Sequence, residues 1–218
     1  MSIARPLATP APAQSQHSHS QRQQARATAY DAIVVGGSSG AIDALVRMLP
    51  ALPATLHAAV LVVLHLPRDR RSMLADIFRQ RCALPLQEAQ DGDPIAPGTV
   101  YFAPPDYHLL VDGGPRLALS VDAPVHYSRP SIDVLFESAA DQYGERLVGV
   151  LLSGANEDGA RGMEAIAAAG GTVVVQDPAT AQMPAMPHSA LARVATPHVL
   201  APPGIADLLA DWHHQGLL

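Results

Sequence analysis

Cysteine is all but missing from this chain, Cys82 being the single one. An intramolecular disulfide is therefore excluded, as is a zinc site built on paired cysteines, and a reducing compartment, the cytoplasm, is expected. Long apolar runs are lacking too. The longest, Ala58 to Leu64, falls well short of the roughly 20 residues that cross a bilayer, and the N-terminus has no continuous apolar core of the kind a signal peptide carries. A soluble chain, neither exported nor inserted in a membrane, is expected. Nor is there an excess of positive charge. A formal net charge of −6 and a pI near 5.9 create no broad field for nucleic acid or an anionic membrane surface.

What is present is apolar content, 48% of 218 residues, enough for one well-buried domain. It is unevenly spread. Residues 1–29 are rich in Ala, Pro, Gln and Ser and show neither a strand nor a helix period, so they cannot offset the entropy of being ordered and read as a disordered tail. His17 and His19 fall in it and are not read as metal ligands. The folded domain is expected over residues 30–218.

From Tyr30 onward short apolar runs alternate with helical periods. Strands are expected at Ala32 to Val35, Ala58 to Leu64, Val148 to Leu152, Thr172 to Val175 and Val199-Leu200. Helices are expected at Ala41 to Leu49, Arg71 to Arg81, Ser131 to Tyr143, Gly159 to Ala169 and Ile205 to His213. Thr99 to Phe102, His108 to Val111 and Arg116 to Ser120, punctuated by Pro104-Pro105 and Asp112-Gly113-Gly114, read as an antiparallel hairpin inserted between these units. Fully apolar strands alternating with helices predict an α/β fold, doubly wound, with a mostly parallel sheet covered on both faces.

In such sheets chemistry gathers beyond the carboxyl ends of the strands. Three of those ends carry reactive types. Gly36-Gly37-Ser38-Ser39-Gly40 follows the first strand as GxSxG, the pattern of a nucleophile elbow. His65 follows the second strand, and Asp158 lies in Ser153-Gly154-Ala155-Asn156-Glu157-Asp158-Gly159 after a later one. An imidazole with an ordinary pKa near 6.5 can take a serine proton at neutral pH, and a carboxylate on its far nitrogen fixes the tautomer. Amides of either glycine-bearing loop are candidates for an oxyanion hole. The plainer reading is that Ser38 or Ser39, and Asp158, cap the helices that follow them. The order Ser, His, Asp differs from that of the α/β-hydrolases. The glycine spacing is not GxGxxG, and no GK[ST] follows.

With these three residues in view, the chain resembles the catalytic domain of the bacterial chemotaxis receptor methylesterases, the CheB family of protein-glutamate methylesterases. The resemblance runs from Asp31 to Leu209. It is carried by the serine turn, His65-Leu66-Pro67, Asp91-Gly92, Gly98-Thr99-Val100-Tyr101-Phe102-Ala103-Pro104, His108-Leu109-Leu110-Val111, Arg129-Pro130-Ser131-Ile132-Asp133, Ser153 to Gly162 and Met186-Pro187. It implies Ser38 as nucleophile, His65 as general base and acid, and Asp158 as orienting carboxylate. It also implies hydrolysis of γ-glutamyl methyl esters on the cytoplasmic helices of chemoreceptors, with deamidation of glutamine in some members and no metal or organic cofactor.

The chain departs from the family pattern at Ala41 and Ala185, where glycine is usual, and at Ala155, where methionine is usual. About 29 residues precede the domain, so no attached receiver domain is expected, and a separate response-regulator protein is the partner this suggests. A CheB-like signalling module that binds a receptor without turnover is the alternative function. Arg68, Arg70, Arg71, Arg79 and Arg81 form a basic cluster after His65, read either as a surface that steers acidic receptor helices or as a solvated helix face partly neutralised by Asp69 and Asp76. His108, His126 and His188 show no metal spacing and are read as structural or exposed.

Overall fold

A computed structural model describes residues 29–65 and 72–218. The expected tail with His17 and His19, and Leu66 to Arg71 with three of the five arginines, lie outside the described residues. The elements run β1 (Ala32–Gly37), α1 (Ala41–Met48), β2 (Ala59–Leu64), α2 (Leu74–Arg79), β3 (Leu86–Glu88), β4 (Val100–Phe102), β5 (His108–Asp112), β6 (Arg116–Ser120), α3 (Ile132–Tyr143), β7 (Leu147–Leu151), α4 (Ala160–Ala168), β8 (Thr172–Gln176), α5 (Ala185–Leu191), β9 (His198–Leu200) and α6 (Pro202–His214).

Seven strands make one sheet in the order β3-β4-β2-β1-β7-β8-β9, every pairing parallel. The central strands are buried along their whole length, which is why they read as unbroken apolar runs. Alternate side chains serve opposite cores. Ile33, Val35, Val60, Val62, Val148 and Val150 pack with α1, α2 and α6. Ala32, Val34, Leu61, Val63, Leu147 and Leu151 pack with α3, α4, α5 and the β5-β6 hairpin. Helix α3 crosses β1 so closely that a Cβ on Gly36 would stand 2.3 Å from Ile132 Cγ2, so the first glycine of the serine turn is a packing requirement.

The doubly wound parallel architecture agrees with the sequence reading. One part of it is corrected: the Thr99 to Phe102 run does not join the hairpin, because β4 pairs parallel between β2 and β3, while β5 and β6 form an antiparallel sheet of two strands. Strand β3 and helix α5 were not anticipated. Three residues, half exposed, leave β3 without an apolar run, and α5 contains Pro187 after Pro184.

Candidate active site

Ser38, His65 and Asp158 leave the ends of β1, β2 and β7, the three adjacent strands at the middle of the sheet. Gly37 pairs with Leu64, so Ser38 and His65 are the next residues on neighbouring chains about 4.8 Å apart, and the His65 N–H donates to Gly37 O at 3.2 Å.

His65 Nε2 is 2.8 Å from Asp158 Oδ2. Asp158 is fully buried, and each of its oxygens has two partners. Oδ1 accepts from Ser131 Oγ at 2.8 Å and Asp133 N at 2.9 Å; Oδ2 accepts from Ile132 N at 2.8 Å as well as from His65. Burial by itself pushes this carboxyl up. The His65 hydrogen bond and the amides of Asp133 and Ile132 outweigh it and hold the carboxyl below its usual range. It stands at the N-terminus of α3, where the helix field favours an anion.

Asp158 therefore caps a helix, as the plainer reading anticipated, but not its own. Helix α4 begins behind Gly159 with no side-chain cap from Asp158, and its amides at Gly159 and Gly162 go instead to Asp133 Oδ1, at 2.9 and 2.8 Å. Likewise no serine caps α1, whose N-cap is Gly40 with φ 83°. A Cβ at Gly40 would lie 2.6 Å from Gln182 Cβ and 2.8 Å from Ser153 Oγ. That leaves Ser38 half-buried in the turn with no capping duty.

Ser153, fully buried, ties the turn to the third loop. Its carbonyl accepts from Ser38 N at 2.9 Å, its hydroxyl donates to Ser39 O at 2.7 Å and accepts from Met183 N at 2.9 Å, and its own N–H donates to Gln176 Oε1 at 2.9 Å. These bonds sort the amides available for an oxyanion. Ser38 N, Ala41 N and Gly154 N are committed to Ser153 O, Ser38 O and Met183 O. Among the described residues no bond takes up the amides of Ser39 and Ala155, and the residue after the nucleophile is the usual donor in such elbows.

The remaining nitrogen of His65, Nδ1, faces Ser128 Oγ at 3.3 Å; no hydrogen bond joins Ser38 Oγ to His65 among the described residues. Ser128 ends a tight turn closed by Ser128 N to Val125 O at 2.8 Å, with His126 and Tyr127 at φ 47° and 62°. Arg129 anchors that turn through Asp106 Oδ1 and the carbonyls of Val121 and Asp122. Sequence reading missed Ser128, which carries no motif of its own, and Gln176, a buried amide at a strand end.

His108 is structural, buried between Ala123 O and Ser131 N, and His188 is exposed. His126 differs from expectation: ligand atoms of His126, Asp133 and Asp158 lie within 4.8 Å of one another, a grouping that sequence separation conceals. Burial pushes the Asp133 carboxyl up against the pull of the Gly162 amide, and the neighbouring Asp158 charge adds to the rise. The three alanine departures are accommodated. Ala41 is buried in α1, where helical backbone needs no glycine; Ala155 is exposed; and Ala185 opens α5. Of the basic cluster's described members, Arg79 pairs with Asp76 at 2.7 Å and Arg81 is exposed. No helix of the described residues is long and apolar enough to cross a membrane.

The chain is similar to known proteins over most of the described residues. Residues 33–209 match the CheB methylesterase family. A Leptospira interrogans protein, provisionally named protein-glutamate methylesterase/protein-glutamine glutaminase, is 41% identical over 179 residues, covering 82% of this chain and 93% of the relative. A Symbiobacterium thermophilum protein named protein-glutamate methylesterase/protein-glutamine glutaminase is 41% identical over 177 residues, 81% of this chain but 49% of its own length. The crystal structure of the Thermotoga maritima CheB methylesterase catalytic domain superposes with a TM-score of 0.80 at 30% identity, covering 84% of this chain and 99% of that one.

Proposed function

The chain belongs to the CheB methylesterase family, and from that premise we propose that it is a serine hydrolase that removes methyl groups from glutamyl methyl esters of chemoreceptors. The observation that carries the reading is the His65 to Asp158 bond of 2.8 Å at the mouth of the serine turn. Ser38 Oγ attacks the ester carbonyl while His65 takes its proton. The tetrahedral oxyanion is received by the amides of Ser39 and Ala155. Collapse expels methoxide, which leaves as methanol with the proton His65 returns. Water, deprotonated by the same imidazole, then cleaves the glutamyl-Ser38 ester and frees the glutamate side chain. With a glutamine substrate the leaving group is ammonia, which is the deamidase activity of the same site.

Because Asp158 holds Nε2, proton exchange with Ser38 falls to Nδ1, and the Ser38 hydroxyl takes the place of Ser128 there when substrate binds. Asp158 stabilises the imidazolium so formed. Two observations favour turnover over a binding-only module: the His65–Asp158 pair is intact, and Ala41 and Ala155 displace neither it nor the turn. A nucleotide-binding reading has less support because Ser38 N and Ala41 N, two amides of the glycine-rich turn, are already spent within the protein.

The expected partners are methylated helices of a receptor's cytoplasmic region, met in the cytoplasm. Exposed Arg81 is read as part of a surface that steers acidic helices, while Arg79, paired with Asp76, fits the alternative of a partly neutralised helix face. A second reading rests on one specific observation: Ser128, not Ser38, is the hydroxyl within reach of His65 Nδ1. Methanol release from methylated receptor membranes by Ser38→Ala and Ser128→Ala proteins separates the two, since only the nucleophile's loss abolishes it.

A further inference from the structure

We infer that His126 and Asp133 form a binding site for a zinc-class divalent ion beside the triad, and that the ion inhibits hydrolysis when bound. The site rests on atoms that the proposed reaction leaves unused. Asp133 is 1% exposed, and its Oδ1 is fully engaged by the amides of Gly159 and Gly162. Its Oδ2 has no hydrogen-bond partner, the single buried side-chain oxygen or nitrogen among the described residues of which this is true. A buried carboxylate oxygen left in that state is costly.

His126 Nε2 is aimed at this oxygen from 3.3 Å, yet without the alignment of an N–H···O bond. The spacing suits a shared metal. Zinc bonds of about 2.0–2.1 Å to nitrogen and 2.0–2.2 Å to oxygen, at a tetrahedral angle, set the two donors about 3.3–3.5 Å apart, whereas the right angles of octahedral magnesium, with bonds of about 2.0–2.1 Å, bring them to about 2.9 Å. The other ring nitrogen, Nδ1, stands 3.6 Å from Glu157 Oε1, and a metal-bound imidazole commonly turns its second N–H toward a carboxylate. Imidazole with carboxylate selects zinc and its late first-row neighbours over magnesium or calcium.

Asp158 is close, within the same 4.8 Å grouping, but both its oxygens already accept two hydrogen bonds each. It acts as a neighbouring charge, and water completes the coordination. The His126 side chain is 24% exposed, so an ion enters from solvent past the imidazole. A doubly positive charge there opposes the imidazolium that His65 must become, which is the origin of the inhibition. That consequence rests on the hydrolase reading; the ion site itself does not.

The test uses full-length protein carrying His17→Ala and His19→Ala, stripped with EDTA and dialysed, so that the histidines near the N-terminus do not contribute. Zinc is titrated by calorimetry, and Co2+ is used for its intense visible absorption in a tetrahedral site. Binding of one ion per chain is expected, weakened at least about tenfold in both His126→Ala and His126→Asn; asparagine is included because it tolerates the positive φ at this position. Methanol release in EDTA should be unchanged in both variants, and inhibition by zinc should fall with their affinity. Zinc binding of equal strength in the His126 variants, or none in the parent, overturns the site. Binding lost with His126 while inhibition persists, or binding without inhibition, overturns the inhibitory role. Metal-free parent that releases no methanol contradicts the hydrolase reading alone, since calorimetry and the cobalt spectrum still decide the site.

Discussion

Asp158 and Asp133 cap one another's helices: Asp158, which precedes α4, receives the first amides of α3, and Asp133, in the first turn of α3, receives those of α4. The exchange locks the carboxylate bonded to His65 into the junction of two packed helices. On the proposed reaction, stability and catalysis would depend on the same side chain, in different ways.

Asp158→Asn is expected to lower kcat by about 10⁴, through loss of the imidazole's proper tautomer and of its countercharge. The same change should destabilise the fold by about 1–3 kcal/mol, because whichever oxygen becomes NH2 puts a donor against Ile132 N or against Asp133 N. Methanol release and urea denaturation on one preparation check both. Activity that falls only in proportion to the unfolded fraction would reduce Asp158 to a structural cap.

The depressed pKa of Asp158 fixes a pH dependence. A carboxyl whose folded pKa lies below its unfolded value contributes stability that is fully present above the unfolded pKa, ordinarily 3.8, and is lost as pH falls through the folded one. Urea midpoints of the wild type, in EDTA, should therefore fall steeply as pH drops below about 4. In Asp158→Asn that part of the slope should vanish, so the two curves converge toward low pH. Parallel curves would mean that Asp158 is not held in its charged form.

Ser153→Ala removes the hydroxyl that binds Ser39 O and Met183 N. Leaving these groups without their partner should cost about 1–3 kcal/mol and loosen the elbow, lowering kcat more than it raises KM. Steady-state kinetics with thermal melts measures the split, and a pure KM effect would count against Ser153 as the organiser of the turn.

Gly40→Ala forces a left-handed residue and a Cβ against Gln182, so stability should fall by about 1–2 kcal/mol or more. Gly113→Ala, with open space around its Cβ and no positive φ, should stay within about 0.5 kcal/mol of wild type. Equal effects in the two variants would mean that the turn is not strained as described.

Much of this was legible in the sequence, and the illegible parts share a cause. The parallel sheet announced itself because β1, β2 and β7 are buried on both faces and so are apolar throughout. That Ser38, His65 and Asp158 follow those runs was legible too, and the structure brings His65 and Asp158 together. Strand β4 was mistaken for part of the hairpin because three apolar residues carry no record of which neighbour they pair with. The mutual capping of α3 and α4, the approach of Ser128 to His65 and the pairing of His126 with Asp133 arise where elements far apart in the chain meet. Local pattern holds no trace of such contacts; a Ser or Asp before a helix looks the same whichever helix it caps.

The most direct test of the central claim is methanol release from methylated receptor membranes by wild type, Ser38→Ala and Ser128→Ala, each shown to be folded by its thermal melt. The account predicts release by wild type, none above background from Ser38→Ala, and release retained by Ser128→Ala. Full turnover by the Ser38→Ala protein would contradict it.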